Sequence, residues 1–163
     1  MAHRDIRHGG IVTAATGRPQ TPIVDAASLP IERLIDYDAW HFSSARPEFL
    51  RCWLRPDRRR GLLALRDGEI AGLGVIRACR QGFKIGPLFA DDARIADVLF
   101  VALAADANGA MVCLDVPQGN PAAMALAAQH GLRPAFEIAR MYRCRAPDLP
   151  IERNFGITSF ELG

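Results

Sequence analysis

Apolar positions along this chain recur at two periods, and the changes between them mark the elements. After Ser28, a candidate cap, Ile31, Leu34 and Ile35 fall at helical spacing, and Phe49, Leu50, Trp53 and Leu54 do so again behind Pro47. Asp57-Arg58-Arg59-Arg60 reads as a charged loop. Gly61–Arg66 and Glu69–Arg80 then flank Asp67-Gly68, a strong two-residue hairpin signal, and a turn at Gln81-Gly82 leads into Phe83–Phe89. The pattern predicts a three-stranded antiparallel meander. Asp91 or Asp92 caps a helix with Ile95, Val98 and Leu99 inward, ending near Asn108-Gly109. Met111–Val116 is an apolar run of the kind a buried parallel strand shows. Asn120, Pro121 and Gly131 supply the cap, first position and left-handed exit of a short alanine-rich helix. Ala135–Cys144 alternates imperfectly, Ile157–Leu162 predicts a last strand, and Pro22-Ile23-Val24 a short first one. Residues 1–20 are polar and aperiodic, and the pattern gives them no element: they read as a flexible arm or the tail of an upstream domain.

Composition narrows this picture. A chain of 163 residues, half of them apolar, can bury one sizeable core, so residues 21–163 read as a single domain. The formal net charge of +2 mixes both signs and predicts no nucleic-acid or membrane partner. Of 20 basic residues only Lys84 is lysine, a skew of overall composition, so arginines are not read as phosphate sites. Lys84 alternates with Phe83 and Ile85, which predicts a side chain on the opposite, solvated face. Cys52, Cys79, Cys113 and Cys144 show no metal-ligand spacing, so no metal is expected. They read as reduced thiols in a cytoplasmic protein, Cys113 and Cys79 behaving as small hydrophobes. No apolar run spans a bilayer, and Met1–Gly10 lacks a signal peptide's apolar core.

The predicted order is strand, two helices, three antiparallel strands, helix, parallel strand, helix and two strands. Within it, Asn120-x-x-Ala123-x-x-Leu126 followed by Gly131-Leu132 is similar to the fourth-helix motif of the GNAT (Gcn5-related N-acetyltransferase) superfamily. Lys84–Asp91, Leu114–Pro117, Ala139–Tyr142 and Phe155–Leu162 further resemble the C-terminal domain of two-domain GNAT proteins. The resemblance covers Ile23 to Gly163. It implies an α/β fold, a mixed and mostly antiparallel sheet with a splayed parallel strand pair flanked by helices. It also implies acetyl transfer from acetyl-CoA to a small-molecule or peptide amine. The backbone of Ile85, Gly86, Leu88 and Phe89 would then pair with the pantetheine arm, and Asn120 would hydrogen-bond the cofactor. Asp115 would act as base, directly or through water, and Tyr142 would donate a proton or orient the substrate. Each residue also has a structural reading: Asn120 as a helix cap, Tyr142 as a strand residue with its hydroxyl at the surface, Asp115 as a carboxylate that must find partners inside an apolar strand, and His130 as a favourable group in a helix's last turn.

Two departures from the family bear on function. Its glycine-containing phosphate loop is replaced by Gly86-Pro87-Leu88-Phe89-Ala90-Asp91-Asp92, which sets two carboxylates at the helix N-terminus that should receive a diphosphate. Ala127 stands where a catalytic tyrosine usually lies. The chain therefore carries two expectations: an acetyltransferase-type domain, in the extreme only the accessory half of a tandem enzyme with a catalytic GNAT partner domain, or a silent GNAT-like binding or assembly module with a degenerate CoA site. A homodimer is expected by analogy alone.

Overall fold

The computed structural model describes residues 3–12, 21–42, 44–55, 59–143 and 145–161. In chain order its strands are β1 (His3–Ile11), β2 (Ile23–Asp25), β3 (Arg59–Arg66), β4 (Glu69–Ala78), β5 (Phe83–Ala90), β6 (Met111–Pro117), β7 (Arg133–Arg140) and β8 (Asn154–Gly156). The helices are α1 (Ile31–Phe42), α2 (Pro47–Trp53), α3 (Ala93–Ala104) and α4 (Pro121–Gln129). Asp67 and Gly68, at φ of 53° and 82°, form the left-handed pair that closes the β3–β4 hairpin. Gly82, at φ 67°, turns β4 into β5, and the expected meander results. The sheet runs β2-β3-β4-β5-β6-β1-β7, with β8 set against β5. Among the described residues only β5 and β6 pair in parallel, through Phe83, Lys84 and Ile85 opposite Val112, Cys113 and Leu114. This is the expected α/β architecture: a mixed, mostly antiparallel sheet with a splayed parallel pair between helical layers.

Strand alternation divides the core. Ile85, Leu88, Val112, Leu114 and Val116 face α3 and α4, against Ile95, Leu99, Phe100 and Leu126. Leu63, Leu73 and Val75 face Leu34 of α1 and Trp53 of α2.

Several expectations are corrected. Residues 3–11, given no element from the pattern, form a strand inside the sheet, antiparallel to both β6 and β7. What alternates in β1 is charge, matched across the strands: Arg7 donates to Asp115, Arg4 to Glu137, and Arg140 donates to Asp5. Ser28 does not cap α1. Asp25 caps a single 3-10 turn, Ala26–Ser28, and the Ser28 hydroxyl donates back to the Asp25 carbonyl. The charged loop is shorter than expected, since Arg59 and Arg60 open β3, while Asp57 and Arg58 lie outside the described residues. The last strand is Asn154–Gly156 rather than Ile157–Leu162. β7 ends at Arg140, leaving Tyr142 beyond it, and Cys144 lies outside the described residues. Cys52, Cys79 and Cys113 are free thiols, Cys79 being exposed just past β4 rather than packed. Among the described residues no group of His, Cys, Asp and Glu is arranged to hold a metal, and no helix is long and apolar enough to cross a membrane.

Candidate functional site

Beyond Ile85 and Leu114 the parallel strands part, and the opening between them is filled by the chain's own C-terminal segment. Gly156 of β8 lies opposite Leu88 and Asn154 opposite Phe89, while the Ile157 N–H donates to the Asp115 carbonyl at 2.9 Å. Two glycines make room for it. A Cβ on Gly86 would lie 2.4 Å from the Ile157 carbonyl oxygen, and one on Gly156 would lie 2.6 Å from Leu114. Ile85, Gly86, Leu88 and Phe89 lie along β5, with β8 against Leu88 and Phe89.

Asn120 joins the same construction. Its Oδ1 accepts from the Ala123 N–H at 3.1 Å, capping α4, and its amide nitrogen donates at 3.0 Å to the carbonyls of Glu152 and of Asn154. One side chain therefore starts a helix and pins the segment in the opening.

Asp115 is fully buried. Arg7 grips it with two hydrogen bonds, Nε to Oδ1 at 2.7 Å and a terminal nitrogen to Oδ2 at 2.9 Å, and the Lys84 ammonium contacts Oδ2 directly. Lys84 does leave the sheet opposite to Phe83 and Ile85, but it is 3% exposed rather than solvated. Burial pulls its ammonium below the ordinary lysine range, against the pull of Asp115. The hydrogen bond to Asp115 raises Arg7. The Phe160 ring covers both cations, 4.6 Å from the Arg7 guanidinium and 5.5 Å from Lys84. With both oxygens held by cations, this carboxylate is poorly placed to accept a substrate proton. Tyr142 sits apart, half-buried beyond β7. His130 bonds Asp97 of α3 at 2.6 Å, a structural contact.

At the far end of β5, Asp92 caps α3 by accepting from the Ile95 N–H at 2.9 Å. Partial burial opposes its ionisation, but the Ile95 N–H and Arg66 outweigh that and hold it below the usual carboxylate range. Asp91 pairs with Arg153 at 3.1 Å and lies 3.9 Å from Arg66, which bonds Asp92 at 2.6 Å. Nearby, His41 of α1 stacks on Phe89 with centroids 4.4 Å apart. Burial lowers its pKa below the ordinary histidine value. The sequence pattern passed over His41, Arg7 and the role of Lys84; the one available signal was Tyr37 four residues before His41, one helical turn apart.

An acetyltransferase (GNAT) domain model matches residues 34–156. The chain belongs to the GNAT acetyltransferase family. It is 28% identical over 134 residues to the holothin acyltransferase of Pseudoalteromonas sp. (strain SANK 73390), covering 82% of this chain and 46% of that protein. A Pyrococcus horikoshii protein assigned as an acetyltransferase superposes with a TM-score of 0.79 at 23% identity, over 99% of this chain and 52% of that one. A GNAT-family structure from Novosphingobium aromaticivorans DSM 12444 gives 0.61 at 14% identity, over 83% and 61%. At such identities the structural likeness establishes the GNAT fold. The chain spans about half the length of the first two relatives.

GNAT proteins generally use an acyl-CoA, and the residues here do not fit one. The family holds the thioester in the opening between the parallel strands and the diphosphate at the following helix N-terminus. Here β8 fills the first, and Asp91 and Asp92 occupy the second, where a diphosphate would meet two carboxylates rather than free N–H groups.

Proposed function

We propose that this GNAT chain takes part in acetyl transfer from acetyl-CoA to an amine as the accessory half of a two-lobed acyltransferase, shaping the acceptor side while a second GNAT lobe holds the acyl-CoA. One observation carries the reading: Asn154–Gly156 and Ile157 lie in the opening between β5 and β6 that the family uses for its thioester. The paired carboxylates at the start of α3 support it. In this reading Asp115 is the anchor of a buried ion cluster rather than a base, and Asn120 holds the segment rather than the cofactor.

The test is a calorimetric titration of the chain with acetyl-CoA at millimolar concentration and ordinary salt. No heat and no rise in Tm are expected, although a ligand at a hundred times its Kd would add about 2.7 kcal/mol of stability. Saturable heat that free CoA competes away would overturn the accessory reading in favour of an autonomous N-acetyltransferase whose C-terminal segment leaves the opening. Absence of acetyl-CoA binding, together with no gain in activity when a catalytic GNAT lobe is supplied, would leave the silent assembly module.

A further inference from the structure

We propose that the basic end of the sheet, where Arg59 and Arg77 stand over Trp53, is a binding site for a dianionic phosphate group. The site is separate from the opening that carries the accessory reading, because it lies at the end of β5 remote from the start of α3. Its signal in the sequence is the charged run that leads into β3: five of residues 51–60 are arginine, against the single carboxylate Asp57. Between Glu69 and Asp91 there is no acidic residue, while Arg77, Arg80 and Lys84 fall in that stretch. Strand pairing brings the two runs together. Arg59 lies opposite Arg77 and Arg77 opposite Lys84, so three cations share one cross-strand row and one face of the sheet.

The abundance of arginine in this chain gives no reason to read a phosphate site; what distinguishes this pair is the missing carboxylate. Like charges directly opposite each other are unfavourable, and the hairpin end of the same ladder sets Arg66 opposite Glu69 instead. On other surfaces Arg4 pairs with Glu137, Arg33 with Glu69 and Arg60 with Asp106. Within the row Lys84 has Asp115. Among the described residues Arg59 and Arg77 pair with no carboxylate, and neither do the exposed Arg55 and Arg80 that flank them in the chain. Both guanidiniums are nevertheless held in place. Their central carbons lie 4.4 Å and 5.7 Å from the Trp53 ring centroid, and the indole N–H of Trp53 is fixed on the Gly86 carbonyl at 3.3 Å. Arg59 donates to the Cys52 carbonyl at 3.0 Å and Arg77 to the Cys79 sulfur at 3.3 Å. A guanidinium has five N–H donors, so most of those on each side chain stay unused. Two positioned, unneutralised forks on one ring match a phosphate monoester, with its two charges and three terminal oxygens. A carboxylate or a phosphodiester brings one charge and two such oxygens. Trp53 is only 9% exposed beneath the arginines, which leaves no aromatic face on which a nucleobase would stack.

NMR titration of the full chain with methyl phosphate tests the site, read at the guanidinium carbons of Arg59 and Arg77 and at the Trp53 indole N–H. At pH of about 8 the monoester is a dianion, its second pKa being about 6, and sodium chloride holds the ionic strength constant. Saturable shifts of all three signals are expected, with dimethyl phosphate and acetate, both monoanions, about tenfold or more weaker. Inorganic phosphate run alongside separates the sources: tighter methyl phosphate assigns the site to a phosphorylated molecule, and equal or tighter inorganic phosphate to the free ion. Arg59→Gln and Arg77→Gln should each weaken methyl phosphate about tenfold or more, as loss of a charge-assisted hydrogen bond implies. Arg133→Gln, at an exposed arginine of β7, should leave binding unchanged. The order of the probes is read on the unaltered chain and needs no variant to fold. No saturable shift, acetate or dimethyl phosphate binding as tightly as methyl phosphate, or undiminished binding by both glutamine variants would overturn the site. A single-stranded oligonucleotide that binds tighter than methyl phosphate would overturn it in favour of a nucleic-acid surface.

Discussion

Asp115 takes its meaning from two cations that other strands bring to it, Arg7 from β1 and Lys84 from β5. Removing the carboxylate leaves both charges without their partner, so Asp115→Ala should cost about 3–5 kcal/mol in urea unfolding, the range for breaking a buried pair. Lys84→Met should cost distinctly less, because Arg7 still holds both oxygens and a desolvated ammonium has been removed; equal losses would contradict this account. His41 gives a pH prediction. Its folded pKa lies below the ordinary 6.5, so in the interval beneath that value the unfolded chain binds more protons, and stability falls as pH falls. His41→Phe should remove that component of acid sensitivity, seen as a flatter unfolding free energy between neutral pH and pH of about 5. Alternation correctly put Lys84 opposite Phe83 and Ile85, but the environment of that face depends on β1 and Phe160, neither of them near in sequence.

Helix starts and hairpins are set by neighbours a few residues apart, and there the sequence was most legible. Asp67-Gly68, Asp92 before α3, Pro47 opening α2 and Asn120 before α4 all act locally as expected. Asn120 does more than local rules require. Asn120→Ala should cost about 2–4 kcal/mol, a lost cap plus two carbonyls left without donors, against about 1 kcal/mol for Asp92→Ala at an exposed cap. Hydrogen exchange should also accelerate in residues 154–157 of the first variant alone. Gly156→Val tests the filled opening: its added carbons meet Leu114 and Leu88, so a loss of about 1–3 kcal/mol is expected from overpacking. A neutral result would mean that the segment does not pack there. β8 was placed too late in the sequence because Ile157, Phe160 and Leu162 carry the apolar signal, whereas pairing is decided by where β5 and β6 part.

The whole sheet depends on β1. Without residues 1–11, β6 would expose an edge, and Asp115 and the Arg140 guanidinium would lose Arg7 and Asp5. A chain beginning at residue 12 should therefore show no cooperative thermal transition, and a peptide of residues 1–11 added back should restore one. A cooperative transition in the shortened chain would show that β1 is dispensable. The sequence by itself determined the order of elements from β2 to β7, the meander, the caps of α3 and α4 and the carboxylates where a phosphate loop belongs, because those features depend on side-chain periodicity and on contacts within a few residues. Only the tertiary structure decided that β1 lies inside the sheet, that Asp115 is held by two cations and that the chain's own end fills the opening between β5 and β6. Those facts arise from pairing between segments distant in sequence, from 31 residues for Lys84 and Asp115 to 135 for Asp5 and Arg140, where no local pattern records the partner.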